Sequence, residues 1–218
     1  MAEDVKRDPL VPRREGGGRG QARTRLARRA VVTAARALFV ERGYAATTVE
    51  SISTLADVPP ATVYRLFTSK LGILKALLDA SIAGDDQPVA VQERPDITSL
   101  FEEPDVEALL AGFAGVTTAI NQRTNDVYRV LVSAAGSDPA AAELLDDVQH
   151  QRAGGQGLIA QTLARRGSLR DGLEEQDALD VIHALMSPEV YRLLIADRGW
   201  PPERYELWLA DTLVQQLT

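Results

Sequence analysis

The chain has 218 residues, of which 45% are hydrophobic and 25% charged, a composition typical of a globular protein with one or two domains. It holds no cysteine, which excludes disulfides, thiolate metal sites and cysteine nucleophiles, and it has no apolar run near the roughly 20 residues that span a bilayer. The net charge of −7 is uneven: residues 1–80 hold 14 Lys and Arg against 8 Asp and Glu, whereas residues 81–218 hold 10 against 23. A basic front end on an acidic remainder predicts that nucleic-acid contacts are confined to the first third.

The first 22 residues show no apolar periodicity and include the glycine-rich run Gly16-Gly17-Gly18-Arg19-Gly20. Because such a composition buries little apolar surface, residues 1–22 are predicted to form a disordered arm. The same stretch is charged and lacks the apolar segment of a secretory signal peptide. We therefore expect a cytoplasmic protein without a membrane partner.

A first helix is predicted from Thr24 to Arg42. Apolar residues between Val31 and Phe39 recur there at the i, i+4, i+7, i+8 spacing of a buried helix face. Gly43 follows directly, and glycine is the residue that most often ends a helix.

The stretch from Thr47 to Phe67 predicts two short helices. Thr47 and Glu50 have the spacing of a capping box, which favours a helix start. That helix is expected to end at Asp57, a residue type that tolerates a left-handed turn. Pro60 suits the first position of the second helix, which is predicted to reach Phe67. Two short helices joined by a tight turn are typical of a helix-turn-helix that reads DNA.

The remaining pattern is helical. Ser69 is expected to cap a helix over residues 70–83, and residues 84–104, which hold three prolines, are predicted to form an irregular connection. The further predicted helices are residues 105–121, 125–135, 139–166, 174–197 with a break at Ser187-Pro188, and 202–217. We therefore expect an all-α protein of nine or ten helices, divided into the arm (1–22), a DNA-binding unit (23–80) and a larger helical body (81–218).

A set of positions in residues 23–80, about a quarter of the chain, resembles the tetracycline-repressor (TetR) family of bacterial transcription regulators. The positions are Gly43, Tyr44, Thr47, Thr48, Val49, Ile52, Ala56, Val58, Thr62, Val63, Tyr64, Phe67, Ser69, Lys70 and Leu74. The resemblance implies an N-terminal three-helix helix-turn-helix unit joined to a helical body for ligand binding and dimerisation. The chain departs from the family pattern at Asp57, Pro59 and Leu66; proline at position 59 has no hydroxyl with which to cap the recognition helix.

The resemblance further implies a regulator, expected to act as a repressor, that binds a palindromic double-stranded DNA operator as a homodimer and is released by a small, largely apolar effector. Thr62 and Arg65 are expected to reach base edges, and Tyr64 and Lys70 to reach phosphates. The full set of candidate DNA contacts is Arg23, Arg25, Thr47, Thr48, Pro60, Ala61, Thr62, Tyr64, Arg65 and Lys70.

Two further sites are expected in the body. Aromatic and polar residues among apolar helix faces suggest an effector pocket lined by Phe113, Thr117, Tyr128, Leu131 and His183. The apolar face of the last helices would otherwise lie exposed, so it is expected to form the dimer interface. The residues expected there are Tyr191, Leu194, Trp208, Leu209 and Leu213.

No nucleophile–base constellation, nucleotide-binding fingerprint or metal-ligand spacing is visible, so no catalytic residue, metal or cofactor is expected and the protein is not predicted to be an enzyme. Two other interpretations stay open. One is a DNA-binding regulator that has no ligand or that activates transcription. The other is a helical enzyme that carries a DNA-binding-like head.

Overall fold

The computed structural model describes residues 17–84 and 93–218 of the chain. In these ranges the fold is all-α, as predicted, and ten α-helices are present without any strand. The helices are α1 (Gly17–Ala46), α2 (Val49–Ala56), α3 (Pro60–Phe67), α4 (Lys70–Ala83), α5 (Pro95–Thr98), α6 (Val106–Ala135), α7 (Pro139–Arg166), α8 (Glu175–Leu185), α9 (Pro188–Arg192) and α10 (Pro202–Leu217). A 3₁₀ turn at Ser99–Glu102 follows α5, and a π-helical turn at Leu193–Asp197 follows α9.

Helix α1 begins earlier than the sequence predicts. Residues 17–22, expected to belong to a disordered arm, form its first turns instead, and the rest of that arm lies outside the described residues. Towards the other end, Gly43 has φ 78° and ψ 170°, so the regular helix is interrupted where it was predicted to stop. Glycine adopts this positive φ readily because it has no Cβ.

The N-cap of α2 is Thr48 and not Thr47. The Thr48 hydroxyl accepts a 3.1 Å hydrogen bond from the Ser51 amide, and the Ser51 hydroxyl accepts one of 3.2 Å from the Thr48 amide. This is a capping box one residue later than predicted. Thr47 is buried, and its hydroxyl lies within donor distance of the carbonyl oxygens of Gly43 (2.8 Å) and Leu38 (3.2 Å). Thr47 therefore joins α1 to the start of α2.

Helices α1 to α4 pack around one hydrophobic core, which includes Val63 and Phe67 of α3 as expected. The same core continues into the second half of α6 and the start of α7. The residues that extend it there are Val127, Val130, Leu131, Ala134, Ala141 and Leu144. Helices α6 and α7 of the body thus complete the core of the N-terminal helices, and α6 contributes residues to both the N-terminal unit and the body.

Helix α6 is a single helix of 30 residues where the sequence predicts two. Between residues 121 and 125 there is no glycine or proline, and the Thr124 hydroxyl donates to the carbonyl oxygen of Ile120 at 2.8 Å instead of capping a new helix. The predicted irregular connection over 84–104 also contains α5 and the 3₁₀ turn. Other predicted boundaries are confirmed: Ser69 caps α4, α7 begins at Pro139 after the N-cap Asp138, and the predicted break at Ser187-Pro188 is present. Ser187 in addition caps α9.

The body has a second hydrophobic core, in which α10 lies along α6 and α8 lies against α7. Its largest fully buried side chains are Leu109, Leu110, Leu163, Ile182, Tyr205 and Leu209. In the part of the chain that the structure describes, no helix combines the length and hydropathy needed to cross a membrane.

Candidate functional site

Helix α3 presents one exposed side next to the turn that precedes it. Asp57 closes α2 in the left-handed conformation (φ 52°, ψ 42°), and Pro60 then starts α3 at its first position. Val63 and Phe67 anchor α3 to the core, so the opposite side of the helix is left free. We call this side the reading face; its residues are Pro60, Ala61, Thr62, Tyr64 and Arg65, of which Thr62 is half-buried and the others exposed.

The tyrosine of the reading face is oriented by α2. Tyr64 is 47% exposed, and its hydroxyl donates to Glu50 Oε1 at 3.3 Å. The negative charge of Glu50 is the main reason why the pKa of Tyr64 is raised. The phenol is therefore neutral at physiological pH and remains a hydrogen-bond donor.

The C-terminal end of α3 is held by α1. Arg28 lies with its guanidinium 4.7 Å from the centre of the Phe67 ring and donates to the carbonyl oxygen of Leu66 at 3.4 Å. The sequence shows Arg28 only as one of several basic residues, because a contact across 38 positions leaves no local signal. Arg23 and Arg25, two candidate DNA contacts, are exposed on the preceding turns of α1.

Two further candidate DNA contacts have their polar atoms engaged within the protein. The Thr47 side chain is buried, as described above, so it is not accessible to DNA in this conformation. Lys70 Nζ donates to the carbonyl oxygen of Tyr44 at 2.8 Å and lies 4.1 Å from the centre of the Tyr44 ring. Partial burial lowers the pKa of Lys70, and the nearby carboxylate of Asp138 acts against that shift. Thr48 is exposed but uses its hydroxyl as the α2 cap.

The five residues expected to line an effector pocket do not converge on one site. Phe113 packs against Phe101, with ring centres 4.9 Å apart, in the core of the body. Leu131 belongs to the other core, beneath the helix-turn-helix, and Thr117 is buried in α6. Only Tyr128 and His183 lie beside the same charged groups, Arg152 and Glu189.

Tyr128 and His183 belong to a polar network between α6, α7, α8 and α9. The Tyr128 hydroxyl donates to Glu189 Oε1 at 3.1 Å. On the other side, Arg152 Nη2 lies 2.7 Å from His183 Nε2, and His183 Nδ1 lies 2.8 Å from Gln156 Oε1. Since arginine only donates, Nε2 is the acceptor and the proton of neutral His183 is on Nδ1. Arg152 and Gln156 are functional candidates that the sequence analysis missed, because their partners come from other helices.

A cleft of about 240 Å³ opens beside this network, between α6 and α9. Tyr128 and Glu189 form part of its wall, and Val132 and Pro188 make it partly apolar. Arg129 and Arg192 supply positive charge at the same cleft. The arrangement can accept a small molecule with apolar and polar parts.

The predicted dimer face needs a correction. Leu209 and Leu213 are 0% exposed and Tyr191 is also buried, because this side of α10 packs on α6 inside the chain's own core. These three side chains cannot also cover a second subunit. Trp208 and Leu194 are half-buried, whereas Leu207 on the outer side of α10 is 69% exposed. The periodicity of α10 identified an apolar stripe, but the stripe is occupied by α6.

Within the described ranges, no group of three or more His, Cys, Asp or Glu side chains is placed to hold a metal ion.

The geometry agrees with comparisons to known proteins. A model of the family described as bacterial regulatory proteins, tetR family, matches residues 31–77, which include α2 and α3. The uncharacterized HTH-type transcriptional regulator YdeS of Bacillus subtilis (strain 168) is 29% identical over 181 residues, or 81% of this chain and 83% of the relative.

Solved structures share the fold. NalD, the secondary repressor of the MexAB-OprM multidrug efflux pump in Pseudomonas aeruginosa, superposes with a TM-score of 0.66 at 19% identity and covers 89% of this chain and 98% of its own. SmeT in complex with triclosan gives a TM-score of 0.68 at 18% identity, over 88% of this chain and 91% of its own. The three comparisons agree with one another: residues 31–77 carry a helix-turn-helix of the type found in the tetR family of bacterial regulatory proteins, and over most of its length the chain is similar to an HTH-type transcriptional regulator and shares the fold of such proteins.

Proposed function

We propose that the protein is a cytoplasmic repressor that binds a palindromic DNA operator as a homodimer and is released when a small effector binds its body. No catalytic residue or cofactor enters the proposal. The observation that carries it is the reading face, an exposed helix side with hydrogen-bonding and cationic side chains held by two buried anchors. Such a helix fits the major groove, where base edges present distinct donor and acceptor patterns.

The reading face divides into two roles. Thr62 and Arg65 are proposed to contact bases, and Tyr64 to contact phosphate. Arg23 and Arg25 are proposed to add phosphate contacts from α1, and the small residues Pro60 and Ala61 allow close approach of the backbone. Thr48 stays a candidate contact through its backbone, whereas Thr47 is left out because it is buried.

For the dimer we propose the outer side of α8 and α10, centred on Leu207. An exposed leucine at 69% beside the half-buried Trp208 is the kind of apolar surface that a second subunit covers. Two such helices from each subunit can form a four-helix bundle about a two-fold axis. A two-fold axis in the protein corresponds to a palindrome in the DNA.

Release by an effector is proposed to act through α6. Arg123 of α6 donates to the carbonyl oxygens of Ser81 and Ile82, both at 3.1 Å, and so holds the end of α4. Arg36 of α1 donates to the carbonyl oxygen of Arg123, also at 3.1 Å. A ligand that shifts α6 would therefore change the position of the DNA-binding unit in each subunit.

Two relatives support a repressor with a small ligand. NalD is described as a repressor, and SmeT was solved with triclosan, a small molecule. The effector of the present chain is proposed to be small and largely apolar, and to enter the cleft between α6 and α9.

The test is selection of binding sites from random duplex DNA by the full-length protein. We expect an enriched palindrome whose half-sites lie roughly 10 base pairs, or a multiple of this, apart. Sedimentation should show a dimer on that DNA. Failure to enrich any sequence, or enrichment of a site without symmetry, would contradict the proposal.

A further inference from the structure

Arg152 is a half-buried cation of the body whose hydrogen-bonding capacity is mostly unused. Its Nε and Nη1 atoms are buried and have no hydrogen-bond acceptor among the described residues. Only Nη2 has a partner, the neutral His183 ring. Buried arginine donors are normally paired, because their desolvation is costly unless hydrogen bonds replace the lost water.

The surrounding groups that the structure describes form no direct ion pair with this charge, and the carboxylate of Glu189 offsets it only in part. His183 accepts through Nε2 and donates through Nδ1 to Gln156, so it is uncharged in this arrangement. Glu189 is the acidic residue that interacts electrostatically with Arg152, but its Oε1 is engaged by the Tyr128 hydroxyl. No ion pair joins Arg152 to a carboxylate in the part of the chain that the structure covers.

A cleft also lies beside two groups that interact electrostatically with Arg152, the phenol of Tyr128 and the carboxylate of Glu189. Arg152 is not among the residues that line this cleft, so a carboxylate must pass Tyr128 and Glu189 to reach the guanidinium. On α7, the turn that follows Arg152 carries Gly155, which is half-buried and where an added Cβ would meet no atom within 4 Å. The backbone at Gly155 is therefore open, whereas the next residue, Gln156, carries the side chain that pairs with His183.

We propose that Arg152 binds the carboxylate of the effector, whose remaining part is apolar. Glu189 repels a phosphate dianion more strongly than a carboxylate monoanion, which favours the carboxylate as the group bound by Arg152. Nε and Nη1 of Arg152 supply the hydrogen bonds to the carboxylate, and Val132 and Pro188 in the wall of the cleft contact the apolar part. The regulatory meaning of this site rests on the proposed function, but the anion binding does not.

The experiment follows the arginine Nε–H signals in ¹H–¹⁵N spectra of the full-length protein titrated with acetate, with acetamide and inorganic phosphate as comparison arms. Arg152→Met identifies the Arg152 signal and removes the charge, and Arg165→Met is the control on an exposed arginine of the same helix. We expect acetate to shift the Arg152 signal, and octanoate to do so with about tenfold or greater affinity because its chain is buried. Acetamide should have no such effect, and Arg165→Met should respond like the unmodified protein.

Thermal denaturation separates a ligand-binding arginine from a structural one. Because the charge of Arg152 is partly buried without a direct ion pair within the described ranges, Arg152→Met should leave Tm unchanged or raise it. If that variant does not fold, Arg152→Gln takes its place in the titration. A signal that acetate and acetamide move equally, a stronger response to phosphate, or a lowered Tm in the folded Arg152 variant would overturn the proposal.

Selection of operator DNA with the same protein preparations distinguishes a failure of this inference from a failure of the proposed function. If the unmodified protein selects a palindrome but acetate leaves Arg152 unaffected, only this inference fails. If acetate binds at Arg152 but no DNA is selected, the proposed function fails and the anion site stands.

Discussion

The ammonium group of Lys70 donates a 2.8 Å hydrogen bond to the backbone carbonyl of Tyr44 and lies 4.1 Å from the centre of that residue's ring. Tyr44 directly follows the interruption of α1 at Gly43, and Lys70 is the first residue of α4. Burial is the main reason why the pKa of Tyr44 is raised, and the carboxylate of Asp138, the N-cap of α7, raises it further. One lysine thus connects α1, α4 and the start of a body helix.

Replacement of Lys70 by methionine should lower the free energy of unfolding by about 1–2 kcal/mol, because a partly buried hydrogen bond and a cation–π contact are lost. Urea denaturation measures this. Lys75→Met on the same helix is the control, since Lys75 makes only an exposed ion pair with Asp79 and should change stability by less than about 0.5 kcal/mol. If the two variants are equally stable, the Tyr44 contact is not maintained in solution.

The same Lys70 variant also tests the contact with phosphate that the family resemblance implies. If Lys70 leaves Tyr44 to bind DNA, Lys70→Met weakens operator and scrambled DNA alike and reduces the salt slope by about 1. An unchanged salt slope would assign Lys70 to the fold alone.

Arg65→Ala should weaken binding to the selected operator by roughly 1–3 kcal/mol and binding to scrambled DNA much less, because a base contact is lost. Folding should be unaffected, since Arg65 is exposed. Arg165→Ala, which removes an exposed arginine of the body, controls for the change in charge. Titrations of both DNAs at several salt concentrations measure the difference. Equal weakening on both would show that Arg65 contacts phosphate.

Leu207→Glu and Leu209→Glu should have different consequences although the residues are two positions apart. Leu207 is exposed, so its substitution should yield folded monomers in sedimentation equilibrium. Leu209 is fully buried against α6, so a carboxylate there should destabilise the fold by several kcal/mol. Leu55→Glu, at an exposed leucine of α2, is the control and should stay dimeric. A folded dimer for Leu207→Glu would place the interface elsewhere.

The folded protein should become less stable as the pH decreases below about 6.5, because of His183. Burial, and then the positive charge of Arg152, lowers the pKa of His183 from 6.5, whereas Glu189 and Asp180 act in the opposite direction. As the pH falls, the unfolded chain therefore binds a proton before the folded protein does. This contribution to the free energy of unfolding is present above pH 6.5 and is lost as the pH falls from 6.5 through the lowered pKa of the folded state.

The two histidines of the chain provide a matched comparison for that effect. His183→Gln should flatten the pH dependence of the unfolding free energy in this window, as measured by urea denaturation between pH 5 and 8. His150→Gln, at an exposed position beside Asp146, should keep the dependence of the unmodified protein. If His183→Gln retains the slope, another group is responsible for it.

Much of the helix layout was predictable because caps and prolines act locally. Ser69, Asp138 and Ser187 each accept a hydrogen bond from an amide two or three residues ahead, and Pro202 occupies the first position of α10. These interactions need no distant partner, so the residue types alone indicate where a helix starts. The helix-turn-helix and its family resemblance follow from the same short-range pattern.

Choices between neighbouring residues were decided by the tertiary structure. Thr47 and Thr48 both have the side chain for an N-cap, and the buried carbonyl oxygens of α1 recruit Thr47, leaving Thr48 to cap α2. Residue type alone does not distinguish Thr47 from Thr48, because the difference is the position of Thr47 against carbonyl oxygens of α1.

The sequence by itself determined the all-α class, most helix starts and the reading face, since each depends on interactions within a few residues. The tertiary structure decided which partner each helix face meets: α6 covers Leu209 and leaves Leu207 exposed. It also brings together Arg152 and His183, which are 31 positions apart. Helical periodicity specifies that a face is apolar or polar, but the partner of that face depends on the packing of helices distant in the chain.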